Sequence, residues 1–183
     1  MKKNKLTGPT YLTIVRMILS VVFLVFVMLP WVWAKIVALN LFIVGAISDL
    51  VDGKWARQQK IVTDLGAFLD PLADKMLVNL AFLALVTIGV VPLWVFAIIL
   101  VRDFAVDGMR MMAARDGVTI KASFYGKLKT TIQLTALIVL LLNLITNSSA
   151  LAILGDVTLY AALIMTVFSG ADYLIKGWKK LIK

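Results

Sequence analysis

A chain of 183 residues that is 62% hydrophobic, with a mean hydropathy of +0.98, cannot cover its own apolar surface with polar side chains, because soluble domains are only about 45–50% apolar. The net charge is +9, there is no cysteine and no histidine, and all ten acidic residues are aspartate. Disulfides, thiolate chemistry, imidazole bases and the commonest zinc ligands are thereby excluded, and aspartate is left to carry any acid–base or metal chemistry.

Residues Met1 to Pro9 read as a short juxtamembrane arm, and nothing there resembles a cleaved signal peptide. Uncharged stretches then run Met17–Ala34, Ile36–Ser48, Met76–Val101, Thr130–Gly155 and Val157–Ala171. A spanning helix needs about 20 mainly apolar residues. The two longest stretches suit either one long span or the facing halves of a hairpin. Turn signals stand where a hairpin needs them, Gly89 with Pro92 in one and Asn147-Ser148-Ser149 in the other. Six helices are therefore expected near 11–30, 33–57, 66–88, 92–114, 124–146 and 152–177, with Asp156 as the N-cap of the last. The expected fold is an all-α integral membrane protein, one domain over 1–183.

The positive charge is unevenly placed. With six spans, 18 of the 19 Lys and Arg residues fall on or near one side, and only Lys35 on the other. The positive-inside rule puts both termini and these loops in the cytoplasm. The basic clusters then grip anionic headgroups rather than nucleic acid. Tryptophans at span ends, such as Trp31, Trp33 and Trp178, read as interfacial anchors.

The segment Ser48-Asp-Leu-Val-Asp-Gly-Lys-Trp-Ala-Arg57, followed by Gly66-Ala-Phe-Leu-Asp-Pro-Leu-Ala-Asp74, carries the chemistry. At 100° per residue, Asp49, Asp52, Gly53 and Ala56 share an arc of about 100°, and Gly66, Asp70 and Asp74 share about 80° on the next helix. If the two helices are antiparallel neighbours, four carboxylates converge beside small residues. Such a group repels itself unless something positive compensates it. All-oxygen ligation points to Mg²⁺ or Mn²⁺, and two ions about 4 Å apart would suit displacement at a pyrophosphate. Gly53, Ala56 and Gly66 leave room for a bulky group, and Arg57 offers a cationic fork for phosphate. The plainer alternative is that the aspartates pair with Lys54, Arg57, Lys60 and Lys75 at the membrane surface.

The pattern Asp49-x2-Asp52-Gly53-x2-Ala56-Arg57-x8-Gly66-x3-Asp70-x3-Asp74 resembles, at every fixed position and gap, the signature of the CDP-alcohol phosphatidyltransferase family. The resemblance implies metal ligation by Asp49, Asp52, Asp70 and Asp74, two ions per active site, around the CDP pyrophosphate. It implies a CDP-lipid site at Asp49, Asp52, Gly53, Ala56, Arg57 and Gly66, and Asp74 as the base that deprotonates the acceptor hydroxyl. A six-helix core and a homodimer are implied as well, and the charge distribution, with the aspartates at one membrane face beside the basic loops, sets the expected active site on the cytoplasmic side of the cell membrane.

Two further segments bear on the acceptor: Pro9-Thr-Tyr-Leu-Thr13-Ile-Val-Arg16, and the run from Arg102 through Arg110 and Arg115 to Lys127 and Lys129. Both are similar to the branch of the family that uses glycerol 3-phosphate. That implies acceptor contacts from Thr13, Arg16, Arg110, Lys127 and Lys129, and a phosphorylated acceptor needs such cations. Lys127 and Lys129 are two apart and cannot share a helix face. Asp107 is a candidate partner for Arg110 or Lys127, and Asp103 balances its adjacent arginine. The expected activity is transfer of the phosphatidyl group of CDP-diacylglycerol to glycerol 3-phosphate. The alternatives are another acceptor, such as inositol phosphate or serine, and a divalent-cation transporter. A transporter would place its carboxylates near the bilayer midplane, whereas these cluster at one membrane face.

Overall fold

In a computed structural model of the chain, the described residues form six α-helices and no strand. They are α1 (Gly8–Met28), α2 (Val32–Gln59), α3 (Asp64–Thr87), α4 (Leu93–Arg115), α5 (Phe124–Thr146) and α6 (Ser149–Leu181). The description covers the backbone of residues 8–59, 64–115 and 124–181, and their side chains apart from 8–10, 12, 49–59, 64–72, 74, 114–115 and 176–181.

Each expected helix is present, and the departures have local causes. Helix α1 already begins at Gly8, so Pro9 belongs to its first turn rather than to an arm. A proline has no N–H to lose there, and its fixed φ suits helix entry. Helix α6 begins at Ser149, so Asp156 lies inside it, exposed, and caps nothing. The true boundary is set just upstream. Asn147 takes a left-handed φ of 48° and closes α5 through its N–H to the Asn143 carbonyl at 2.9 Å. Asparagine tolerates that region better than other non-glycine residues. The Ala152 N–H then donates to the Ser148 carbonyl at 2.9 Å and starts the new helix. At the other expected turn Gly89 has φ +78°, which a side chain would strain.

Among the described residues, two helices are long and apolar enough to cross a membrane, α5 and the Ser149–Ile175 part of α6. At 1.5 Å per residue α5 is roughly 34 Å long. Shorter apolar stretches occupy Thr13–Met28, Val32–Ser48 and Lys75–Thr87. In the sequence the aspartates stand at the ends of uncharged stretches, Asp49 directly after Ile36–Ser48 and Asp74 just before the stretch that starts at Met76.

The helices fall into two compact units, Met1–Ile88 and Gly89–Lys183, divided at the Gly89 turn. In the first, α1 packs on both α2 and α3. Its buried stripe is Thr13, Arg16, Ser20, Phe23 and Val27, a spacing of three and four that keeps one helix face inward. Phe23 meets Phe42 at 5.8 Å between ring centroids, and Phe26 meets Trp33 at 6.1 Å, so α1 and α2 run antiparallel. Helix α2 touches α3 where Gly45 faces Leu77.

In the second unit α6 is central and packs on α4 and α5. The pairs Trp94–Tyr160, Arg102–Ser169 and Arg110–Tyr173 rise together, so α4 and α6 run in the same direction. The pairs Tyr125–Phe168 and Gln133–Thr166, with Leu140 against Gly155, descend, so α5 and α6 are antiparallel. Gly155 and Gly170 let neighbouring side chains lie directly on the α6 backbone. An added Cβ would come within 2.6 Å of Leu140 Cδ2 and 2.8 Å of Arg102 Cγ respectively.

Candidate active site

The aspartate signature lies wholly within the first unit, on the last part of α2 and the first part of α3. Asp49, Asp52, Gly53, Ala56 and Arg57 are helical residues of α2, and Gly66, Asp70 and Asp74 of α3. Their side chains lie outside the described residues. The helices that carry them meet at Gly45 and Leu77. A Cβ at Gly45 would stand 2.8 Å from Leu77 Cδ2, so α2 and α3 approach closely there. Asp49 follows Gly45 by about one turn and Asp74 precedes Leu77 by about one turn, with Asp52 and Asp70 about one turn further on. This α2–α3 contact thus falls about one turn from Asp49 along α2 and about one turn from Asp74 along α3. Four aspartates in a chain without histidine or cysteine would offer only hard oxygen donors, which would suit a magnesium- or manganese-type ion.

Thr13 and Arg16 reach the same end of this unit from α1. They are 2% and 5% exposed, on the stripe that packs against α2 and α3. Arg16 stands two turns before Phe23, and Asp49 two turns after Phe42, about 10 Å of axial rise in each case from the Phe23–Phe42 contact. Arg16 and Asp49 are therefore at about the same level. A guanidinium buried in an otherwise apolar helix is costly unless compensated, and the level of the aspartates is where compensation is available. Ser20 donates to the Arg16 carbonyl at 2.7 Å and continues the polar half of the stripe.

Arg110, Lys127 and Lys129 belong to the second unit, at the end where α4 finishes and α5 begins. Lys127 is exposed, whereas Lys129 is only 4% exposed. This divergence follows from their spacing of two. Lys129 Nζ donates to Asp103 Oδ1 at 2.5 Å, and Arg102 Nη1 donates to the same oxygen at 3.1 Å. Arg102 Nη2 also donates to Ser169 Oγ at 2.9 Å. One carboxylate on α4 therefore holds α5 through Lys129, and the adjacent arginine holds α6. Asp103 balances Arg102 as expected; its grip on Lys129 is the part the sequence does not show. Arg110 is exposed, and its Nε donates to the Tyr173 hydroxyl at 2.8 Å while Cζ lies 4.9 Å from the ring centroid. Tyr173 and Ser169 gave no signal in the sequence, since one tyrosine and one serine in an apolar helix look like packing.

The sequence matches the CDP-alcohol phosphatidyltransferase family over residues 6–168. A Bacillus subtilis protein named CDP-diacylglycerol–glycerol-3-phosphate 3-phosphatidyltransferase is 35% identical over 94% of this chain and 96% of its own length. A Yersinia enterocolitica protein of the same name is 35% identical over 98% of this chain and 99% of its own. A Mycobacterium tuberculosis protein named probable phosphatidylglycerophosphate synthase is 38% identical over 81% of this chain and 69% of its own. The match spans both units and includes the whole aspartate signature, and the chain belongs to the CDP-alcohol phosphatidyltransferase family.

Proposed function

We propose that this protein transfers the phosphatidyl group of CDP-diacylglycerol to sn-glycerol 3-phosphate, giving phosphatidylglycerol phosphate and CMP. The observation that supports the chemistry is the complete aspartate signature, carried on two helices that meet at Gly45 and Leu77. The acceptor is supported by the names of relatives that align over nearly the whole chain.

In this reading Asp49, Asp52, Asp70 and Asp74 hold two divalent ions, Mg²⁺ or Mn²⁺. Bound there, the ions neutralise the pyrophosphate and stabilise charge on the attacking and leaving oxygens. Gly53, Ala56 and Gly66 leave space for the cytidine nucleotide, and Arg57 adds a cation beside its phosphates. Asp74 accepts the proton of the acceptor hydroxyl as that oxygen bonds to the lipid-bearing phosphorus. The bond from that phosphorus to the bridging oxygen breaks, and CMP leaves. Thr13 and Arg16 contribute from α1, at the level of the aspartates. The acceptor phosphate is recognised by exposed cations, Arg110 and Lys127 foremost. Lys129, buried and bound to Asp103, holds the basic end of the second unit together.

The same reading makes the protein a six-span, multi-pass protein of the cell membrane, with both termini and the active site cytoplasmic, working as a homodimer among membrane lipids. Exposed apolar side chains along α1 (Val15, Ile18, Val25) and α6 (Val157, Ile164, Val167) support lipid contact. The test is CMP release by purified protein given CDP-diacylglycerol and a panel of acceptors. Release is expected with glycerol 3-phosphate and not with glycerol, serine or inositol phosphate. Equal or faster release with one of the others would reassign the acceptor.

A further inference from the structure

An arginine that recognises a phosphate must present a defined edge of its planar guanidinium. Arg110 is exposed near the end of α4, where a long side chain samples many rotamers and loses entropy when fixed. Among the described residues two contacts restrain it, both from Tyr173 on α6. Nε donates to the phenolic oxygen at 2.8 Å, and Cζ lies 4.9 Å from the ring centroid. Tyr173 is itself only 3% exposed, so its ring is fixed by packing and cannot follow a moving arginine. Helix α6 in turn is tied to α4 one level deeper, by Arg102 to Ser169 at 2.9 Å. The tyrosine is thus the buried, packed partner and the arginine the exposed one.

The choice of nitrogen matters. The bond to Tyr173 uses Nε, the single donor on the inner edge. The two terminal nitrogens, with four of the five N–H groups, lie outside that bond. Their edge is the one that meets two phosphate oxygens at once, end-on, in a bidentate pair. Given that Arg110 contacts the acceptor phosphate, as proposed above, we infer that Tyr173 is a positioning residue for acceptor recognition: its hydroxyl and ring hold the Arg110 guanidinium so that the terminal nitrogens form the phosphate-binding edge.

The test is a mutant cycle with both Michaelis constants and the melting temperature measured in detergent. Tyr173→Phe keeps the buried ring and removes only the hydroxyl, so the fold is retained. It is expected to raise KM for glycerol 3-phosphate about 3–10-fold, the range of one hydrogen bond. KM for CDP-diacylglycerol and kcat should each stay within about twofold. Arg110→Ala should raise the same KM by a larger factor, and Tyr173→Phe should add nothing further in that background. Tyr173→Leu, which loses ring and hydroxyl, should exceed Tyr173→Phe in KM. If Arg110→Ala raises KM but Tyr173→Phe does not, the inference fails while the acceptor assignment of Arg110 stands. It fails equally if Tyr173→Phe acts in full without Arg110, or if it moves both Michaelis constants and the melting temperature together. An unchanged KM in Arg110→Ala removes the acceptor assignment and the inference with it.

Discussion

Gly45→Ala isolates the register of the aspartate-bearing helices from their chemistry. The new Cβ would stand 2.8 Å from Leu77 Cδ2 and 3.6 Å from Cδ1. Carbon atoms settle at about 3.5–4.0 Å, so the nearer contact is short by roughly 1 Å. Leu77 is buried and has little room to turn. Overpacking of this kind costs about 1–3 kcal/mol, and replacing a helical glycine by alanine returns up to about 1 kcal/mol. The net loss of stability is therefore small, about 0–2 kcal/mol, or less than about 8 °C in Tm for a chain of this size. The geometric effect is larger, because the helices part about one turn from Asp49 and Asp74. A misplacement of 1 Å can cost about 10²-fold in rate. In a CMP-release assay kcat is expected to fall roughly 10–100-fold, and Leu77→Val, which lacks the clashing methyl, should restore it to within about threefold. Gly155→Ala is the control. Its Cβ would stand 2.6 Å from Leu140 Cδ2 in the other unit, so stability should drop comparably while kcat stays within about twofold. Wild-type kcat in Gly45→Ala, or equal loss in both variants, would refute the claim that this contact sets the aspartate spacing.

Other expectations test the remaining parts. Excess EDTA should abolish CMP release, and Mg²⁺ or Mn²⁺ should restore it; full turnover under chelation would exclude the carboxylate-held ions. Asp74→Asn should lower kcat about 10²–10⁴-fold with nucleotide affinity largely kept, whereas Asp52→Ala should weaken CDP-diacylglycerol binding, measured by direct titration. Asp103→Ala leaves Arg102 and the buried Lys129 without their shared carboxylate, which should cost about 3–5 kcal/mol in denaturation experiments. A stable Asp103→Ala variant would show that this ion cluster does not hold α4, α5 and α6 together.

The helices were legible because their ends carry local chemistry. Gly89 with Pro92, and Asn147 with the serines that follow, interrupt apolar stretches long enough to be read as single spans. The start of α6 was misplaced because Asp156 looks like a cap, although a left-handed Asn147 had already released the chain into a new helix. The aspartate signature is a different kind of signal, a repeating spacing on two consecutive helices, and its side chains lie outside the described residues. The contact between those helices, Gly45 on Leu77, has no such spacing and appears only when they are packed. The basic residues were the hardest to sort. Arg110, Lys127 and Lys129 look alike as helix-end cations, yet one rests on a buried tyrosine, one is exposed, and one is buried on a carboxylate. Those partners are 63 residues away for Arg110 and 26 for Lys129, so no local pattern announces them. Charge at a helix end indicates topology, ligand binding and internal pairing equally well, and only three-dimensional contacts separate them.

The transfer itself is tested most directly by following the acceptor's own atoms. Purified protein in detergent with CDP-diacylglycerol, divalent metal and glycerol 3-phosphate labelled in its glycerol carbon should move label into the organic phase. The product should have the mass of phosphatidylglycerol phosphate, and one CMP should appear for each labelled lipid formed. CMP release with the label left in the aqueous phase would contradict the account, because the phosphatidyl group would then have gone to water or to another alcohol.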